Sequence, residues 1–326
     1  MRIFVTGISG CIGHYIAESL IKETDHELFF LVRNPAKLGF DYNYRSGINI
    51  IQGSLENILD HCELLSTINI AILTATCWGG EKESYQINVE ANLNLINALN
   101  PNRCERVIYF STASILDRHN QLLSEAGKIG TDYIRTKYQC FTQLTNVPLA
   151  DKIITVYPTL VFGGGENKPY SHLSGGLKDS LKWMSLIRWF NADGSFHFIH
   201  GQDIATVITY LVNNGDELSP IYNNKLVLAS EPLTVSKAIK DICQKINKKV
   251  YFQFPLPIWL ANFFIKIFKI QMAEWDYFCL NYRHFTYDSY VNPTTFNLPI
   301  YAPKVSDLFD DLKISKGQRA KGKGQR

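Results

Sequence analysis

Short, mostly apolar runs without alternation recur along the first half of the chain, at residues 2–5, 28–32, 48–52, 68–73, 107–111 and 153–157. Runs of this kind mark strands buried on both faces, as in a parallel sheet. Between them the spacing is helical: Ile12, Ile16 and Leu20, then Val89, Leu93 and Ile96, then Tyr133, Lys137, Phe141 and Leu144. Strand and helix in alternation predict an α/β fold, a doubly wound parallel sheet with helices on both faces. The connection 33–47 is poor in helical pattern, so its helix is expected to be short or missing.

The character changes after Phe162-Gly163-Gly164-Gly165. A helical stretch within 169–191, a strand at 196–200, a helix at 203–211, a strand at 225–228, a helix at 235–246 and a strand at 250–254 are expected next. This pattern predicts a first domain over 1–165, completed by a returning segment at 196–230. A smaller C-terminal domain, 166–195 and 231–312, would hold the substrate. In 255–270, Trp259, Phe263, Ile267 and Ile270 share one helical face, with Asn262, Lys266 and Lys269 on the other. That apolar length falls short of the ~20 residues needed to span a bilayer. A core or pocket wall is expected there in preference to a peripheral membrane contact.

Composition narrows the class. The chain has 326 residues, 46% hydrophobic, with a formal charge of +3. Lys316, Arg319, Lys321, Lys323 and Arg326, with no acid among them, predict a solvated, disordered basic tail over 313–326. No second basic cluster supports a nucleic-acid partner. Seven cysteines without a Cys-x-x-Cys pair suggest reduced thiols, and a strand beginning at residue 2 leaves no room for a secretory signal; the expectation is a cytoplasmic protein. His14 reads as a helix-surface residue and Asp203 as the cap of the following helix. His197 and His200 alternate on one strand, but nothing completes a metal set around them, so no metal is expected.

Two pieces carry chemistry. The first strand runs into Thr6-Gly7-Ile8-Ser9-Gly10-Cys11-Ile12-Gly13, with glycines where a chain turns tightly, approaches a pyrophosphate and packs a helix on a sheet. The helix that follows would aim its free N–H groups at that pyrophosphate. The second piece is Tyr133 and Lys137, one turn apart on a helix that follows a strand ending at Ser111-Thr112. A phenol with a reference pKa near ~10 is a poor base at neutral pH. The Lys137 ammonium is expected to lower that value, making Tyr133 a proton donor and acceptor, while Thr112 holds the substrate oxygen.

With these residues in place, the chain resembles the extended branch of the short-chain dehydrogenase/reductase superfamily, the NAD(P)-dependent epimerases and dehydratases, which have a Rossmann sheet. The resemblance covers most of residues 1–312. It rests on Thr6-Gly7-x-x-Gly10-x-x-Gly13, Gly53-Ser54-Leu55, Asn88-Val89, Ser111-Thr112-Ala113-Ser114, Tyr133-x-x-x-Lys137 and Phe198-Ile199-His200-Gly201-Gln202-Asp203. It implies Thr112, Tyr133 and Lys137 as catalytic residues, with Lys137 also bonding the nicotinamide ribose. The cofactor would lie against Gly7, Ser9, Gly10, Cys11, Ile12, Gly13, Arg33, Ser54, Leu55, Thr74, Asn88, Tyr133, Lys137 and Pro158.

Arg33 stands where an NAD enzyme usually places an acid, and a guanidinium suits a 2'-phosphate, so NADP is favoured over NAD. A solvated arginine before the Asn34-Pro35 turn is the alternative. Tyr157, Leu160 and Ser195 occupy positions where nucleotide-sugar enzymes of the family carry arginine or asparagine. The substrate is therefore expected to be a small molecule, apolar or neutral, unless Arg188 or Arg283 supplies charge. The leading expectation is an NAD(P)-dependent oxidoreductase acting on a carbonyl or secondary alcohol. A nucleotide-sugar epimerase or dehydratase, and a non-catalytic NADP sensor or assembly factor, are the alternatives; a homodimer is left open.

Overall fold

The computed structural model describes residues 1–222 and 224–311. Its centre is a seven-stranded sheet containing β1 (Arg2–Thr6), β2 (Glu27–Val32), β3 (Ile48–Gln52), β4 (Ile70–Leu73), β5 (Arg106–Phe110), β6 (Ile153–Pro158) and β11 (Lys225–Leu228). The order is β11-β6-β5-β4-β1-β2-β3 and every pairing is parallel.

Strand side chains alternate between two buried clusters, which explains why the sequence runs do not alternate in polarity. Ile3, Val5, Leu28, Phe30, Ile70, Ile72 and Ile108 enter one cluster with Ile16 and Leu20 of the Cys11–Glu23 helix and Ile204 and Ile208 of the Gly201–Tyr222 helix. Phe4, Phe29, Leu31, Ala71, Leu73, Val107 and Tyr109 enter the other with Val89, Leu95 and Cys140. A buried Ser19–Thr209 hydroxyl contact of 2.8 Å joins the two helices of the first face. A separate cluster, including Met184, Phe198, Leu233, Ile239, Ile242 and Phe309, is built by residues after 165.

The expected strands of the first half fall within about two residues of those observed, and the 33–47 connection holds only a 3-10 turn at Pro35–Lys37. Farther on the structure differs. The strand expected at 196–200 is split between two partners. After β7 (Leu160–Phe162) and β8 (Phe190–Ala192), β9 (Ser195–Phe196) pairs with Leu233–Thr234 and His284–Phe285, while β10 (Phe198–His200) pairs with β7. His197, between the halves, is buried and hydrogen-bonded to Ser230 O at 2.6 Å and to Tyr287 N at 3.3 Å. The strand expected at 250–254 forms instead at Phe254–Leu256, where β8 offers pairing partners.

Three expectations are corrected. Asp203 does not cap its own helix: its buried carboxylate accepts Tyr301 N at 2.6 Å and Ala302 N at 3.2 Å, fastening a distant segment. His14 is no surface residue, since it is fully buried under the glycine turn. The apolar helix Ile258–Ile267 is neither core nor pocket wall: none of its residues is buried and none lines the cavity described below. No described helix is long and apolar enough to cross a membrane. The expected basic tail, 313–326, lies outside the described residues.

Candidate functional site

A cavity of about 710 Å³ opens at the carboxyl ends of β1, β4, β5 and β6. Its floor is the glycine turn. Gly7 has φ +74°, and a Cβ there would sit 2.5 Å from Ala75 N and Thr74 Oγ1. A Cβ on Gly13 would lie 2.2 Å from Gly7 O, so only glycine lets the turn close onto the helix start. His14 holds the turn from beneath. Its Nε2 accepts Gly39 N–H at 3.1 Å, which leaves Nδ1 to donate to Gly10 O at 2.9 Å, and burial lowers its pKa so that the neutral ring persists. This cradle, lined by Gly7, Ser9, Gly10, Cys11, Ile12 and Gly13, fits the pyrophosphate of a dinucleotide.

Opposite the turn lie the three residues expected to carry proton chemistry. Thr131 caps the Asp132–Gln143 helix by accepting Ile134 N–H at 3.3 Å, which starts the helix so that Tyr133 and Lys137 follow a turn apart. Thr112, just past the end of β5, accepts Ser114 N–H at 3.3 Å and lines the same cavity wall as Tyr133. Lys137 is 1% exposed; its Nζ donates to Phe110 O at 2.7 Å and lies 5.1 Å from the Tyr109 ring centre. Burial pushes Tyr133 up to about 12, against the opposing pull of the nearby Thr112 side chain, and brings Lys137 down to about 8. The expected lowering of the Tyr133 pKa by Lys137 is thus reversed. Desolvation outweighs attraction, and the ammonium is directed at a carbonyl.

The structure gathers most of the expected cofactor residues on this one wall: the glycine turn, Arg33, Ser54, Leu55, Thr74, Tyr133, Lys137 and Pro158. Arg33 is exposed at the far end, near Ser54 and Glu56. Asn88 is the exception and lies behind the wall, fully buried. Its Oδ1 accepts Cys77 N–H at 2.8 Å and Thr76 Oγ1 at 3.0 Å, while Nδ2 donates to Cys77 O at 2.9 Å and Thr136 Oγ1 at 3.0 Å. It sits in a π-helical turn, Gln86–Ala91, and supports the loop that bears Trp78.

Trp78 and His172 went unnoticed in the sequence. The Trp78 ring stacks on Tyr133 with centroids 3.9 Å apart and planes 11° apart, and it also meets the His172 ring at 5.6 Å. The only local signal was a tryptophan before Gly79-Gly80; the stack joins three distant segments. Leu160, Val161, Tyr170 and Leu173 continue this apolar end of the cavity. Tyr157 is fully buried outside the cavity wall and Ser195 is bonded to His284 at 2.9 Å. Arg188 reaches Lys249 O at 2.8 Å and Arg283 pairs with Asp193 at 2.5 Å; neither lines the cavity. Among the described residues no group of three potential metal ligands occurs.

A family model for the NAD dependent epimerase/dehydratase family matches residues 3–223. The chain belongs to this family. NAD dependent epimerases and dehydratases are enzymes, and the cradle and buried lysine fit their nicotinamide dinucleotide. No curated protein matches the sequence. Among solved structures, gox2253 is 19% identical, covering 95% of this chain and 96% of its own, with a TM-score of 0.66. The dTDP-glucose 4,6-dehydratase of Bacillus anthracis, in complex with NAD, is 11% identical over 97% of both chains, with a TM-score of 0.61. The UDP-N-acetylglucosamine 4-epimerase of Methanobrevibacter ruminantium, in complex with UDP-N-acetylmuramic acid, is 17% identical over 78% of this chain and 84% of its own, with a TM-score of 0.56. At these identities the likeness is one of fold.

Proposed function

We propose that this epimerase/dehydratase-family enzyme interconverts a secondary alcohol and a carbonyl, with Tyr133 as general acid and base, Thr112 holding the substrate oxygen and Lys137 stabilising the tyrosine as its charge changes. The observation that carries this reading is that one cavity wall brings Thr112, Tyr133 and the buried Lys137 together with the glycine cradle. A nicotinamide ring bound there supplies or accepts the hydride. Tyr133, protonated at neutral pH, donates to the oxygen of a carbonyl. Donation leaves a phenolate, whose charge the Lys137 ammonium balances, and in the reverse direction that phenolate takes the proton of an alcohol and returns to the phenol. Trp78, stacked on the phenol, excludes water from one face of it.

The cofactor is NADP by this reading, because Arg33, directly after β2 where an NAD enzyme usually places an acid, presents an exposed guanidinium at the cavity end. The substrate is apolar or neutral at its reacting end. Among the described residues of the wall, Arg33 and Lys137 are the only arginine or lysine, and Trp78, Leu160, Val161 and Leu173 flank the proton-transfer residues. Residues 1–165 with 196–230 form the cofactor domain, and 166–195 with 231–312 form the substrate domain. Family membership favours a second reading, epimerisation or dehydration of a nucleotide sugar, as in the relatives named above.

Two measurements decide. Thermal unfolding with each dinucleotide should show a larger stabilisation by NADP than by NAD, and Arg33→Asp should reverse that order. Equal shifts, unchanged in the variant, would refute the NADP assignment. Tyr133→Phe should cut turnover by about 10²–10⁴ while retaining the cofactor-induced stabilisation. Stoichiometric NADPH consumption supports net reduction, whereas turnover without consumption supports the second reading.

A further inference from the structure

The apolar helix Ile258–Ile267 leaves Trp259 70%, Phe263 53% and Ile267 55% exposed, one turn apart on a single stripe, and Phe268 follows at 69%. Nothing in the function derived above uses this surface, and none of it lines the catalytic cavity. We propose that this helix and the lysine-lined cleft of residues 240–251 form a peripheral docking surface for anionic lipid membranes.

Three observations select a lipid surface over other occupants. The first is charge. Residues 242–273 contain Lys245, Lys248, Lys249, Lys266 and Lys269 and no aspartate or glutamate. Lys266 and Lys269 are exposed beside the apolar stripe. A second copy docked through the same patch would bring lysines against lysines, whereas anionic headgroups meet them with opposite charge.

The second is a receptacle for headgroups. A shallow cleft of about 570 Å³ is lined by Lys240, Lys248, Lys249 and Tyr251 among others. The chain leaves the cleft at Tyr251 and runs on through Phe252 and Phe254, both exposed, toward the apolar helix. Phosphate oxygens in the cleft and aromatic rings at the acyl boundary would satisfy both halves of one lipid surface. Tryptophan and tyrosine, with an apolar body and a polar tip, suit that boundary.

The third is length. At ~1.5 Å per residue the helix extends about 15 Å, half of the ~30 Å hydrocarbon core, and no described helix is a candidate span. The element is therefore suited to lie in the interface plane, apolar stripe inward, with the lysines reaching out to the headgroups. Its attachment through the Phe254–Leu256 strand, paired with β8, holds it to the body of the fold.

The test is flotation of the full chain with vesicles of zwitterionic lipid alone and with about one-third phosphatidylglycerol. Binding should require the anionic lipid and weaken with salt, since each surface lysine contributes roughly fivefold to partitioning. Trp259→Ser/Phe263→Ser/Phe268→Ser and Lys240→Glu/Lys248→Glu/Lys249→Glu should each reduce it at least ~10-fold. Both variants should keep the cofactor-induced thermal stabilisation, which shows that they are folded. Trp259→Phe, a smaller change, should remove the blue shift of tryptophan emission on vesicles. Failure of the wild type to float with anionic vesicles would overturn the proposal, as would flotation indifferent to both triple variants. A concentration-dependent dimer abolished by the triple serine variant, with no vesicle binding, would assign the surface to a second copy of the chain.

Discussion

Lys137 and Tyr133 divide the pH scale between them. Burial brings the lysine down to about 8 and pushes the tyrosine up to about 12, so at neutral pH the lysine is largely charged and the phenol keeps its proton. Carbonyl reduction, which needs both, should proceed at a level rate below about pH 8 and fall as pH rises and Lys137 gives up its charge. Lys137→Met should be slower throughout and lack that limb; the pH dependence of kcat for both proteins checks it. The members of this pair were legible in the sequence because helical spacing brings them together. Their protonation was not, because desolvation depends on what is packed around them. His14 makes the same point, since an i+1 neighbour of Gly13 gives no local sign that Gly39 will donate to its ring from below.

The glycine turn was the most legible element, because each glycine answers a geometric demand made by nearby chain. Gly13→Ala would place a methyl group 2.2 Å from Gly7 O, and the turn or the helix must shift. We expect a loss of about 1–3 kcal/mol in urea unfolding and loss of the dinucleotide-induced stabilisation. Gly79→Ala, with nothing within 4 Å of the added carbon, should leave both unchanged. Elements whose form depends on a distant partner were harder to read. The run at 196–200 splits because β9 and β10 have different partners, and Asn88 lies in a π-helical turn that aims its amide at the Thr76–Cys77 loop.

Across the whole molecule, buried neutral histidines tie segments far apart in sequence. His14 joins the glycine turn to Gly39 and His197 joins β-strand residues to Ser230 and Tyr287; burial lowers the pKa of both below the ordinary 6.5. The unfolded chain therefore binds protons that the folded protein resists. Their contribution to stability is fully present above pH 6.5 and is lost as pH falls through the lowered folded values. Calorimetry should show the melting temperature dropping as pH falls below 6.5, with a shallower drop in His14→Gln/His197→Gln.

By itself the sequence determined the parallel α/β class, the positions of the first six strands, the dinucleotide cradle and the pairing of Tyr133 with Lys137. Each of these follows from periodicity or steric demand within a few residues of chain. Only the tertiary structure decided that Trp78 stacks on Tyr133 and meets His172, that Asp203 fastens residues 301–302, and that no residue of the Ile258–Ile267 helix is buried. It also decided the direction of each pKa shift at the site. The physical reason is common to all of them. Burial and long-range hydrogen bonding depend on which segments meet in space, and no local pattern encodes that meeting.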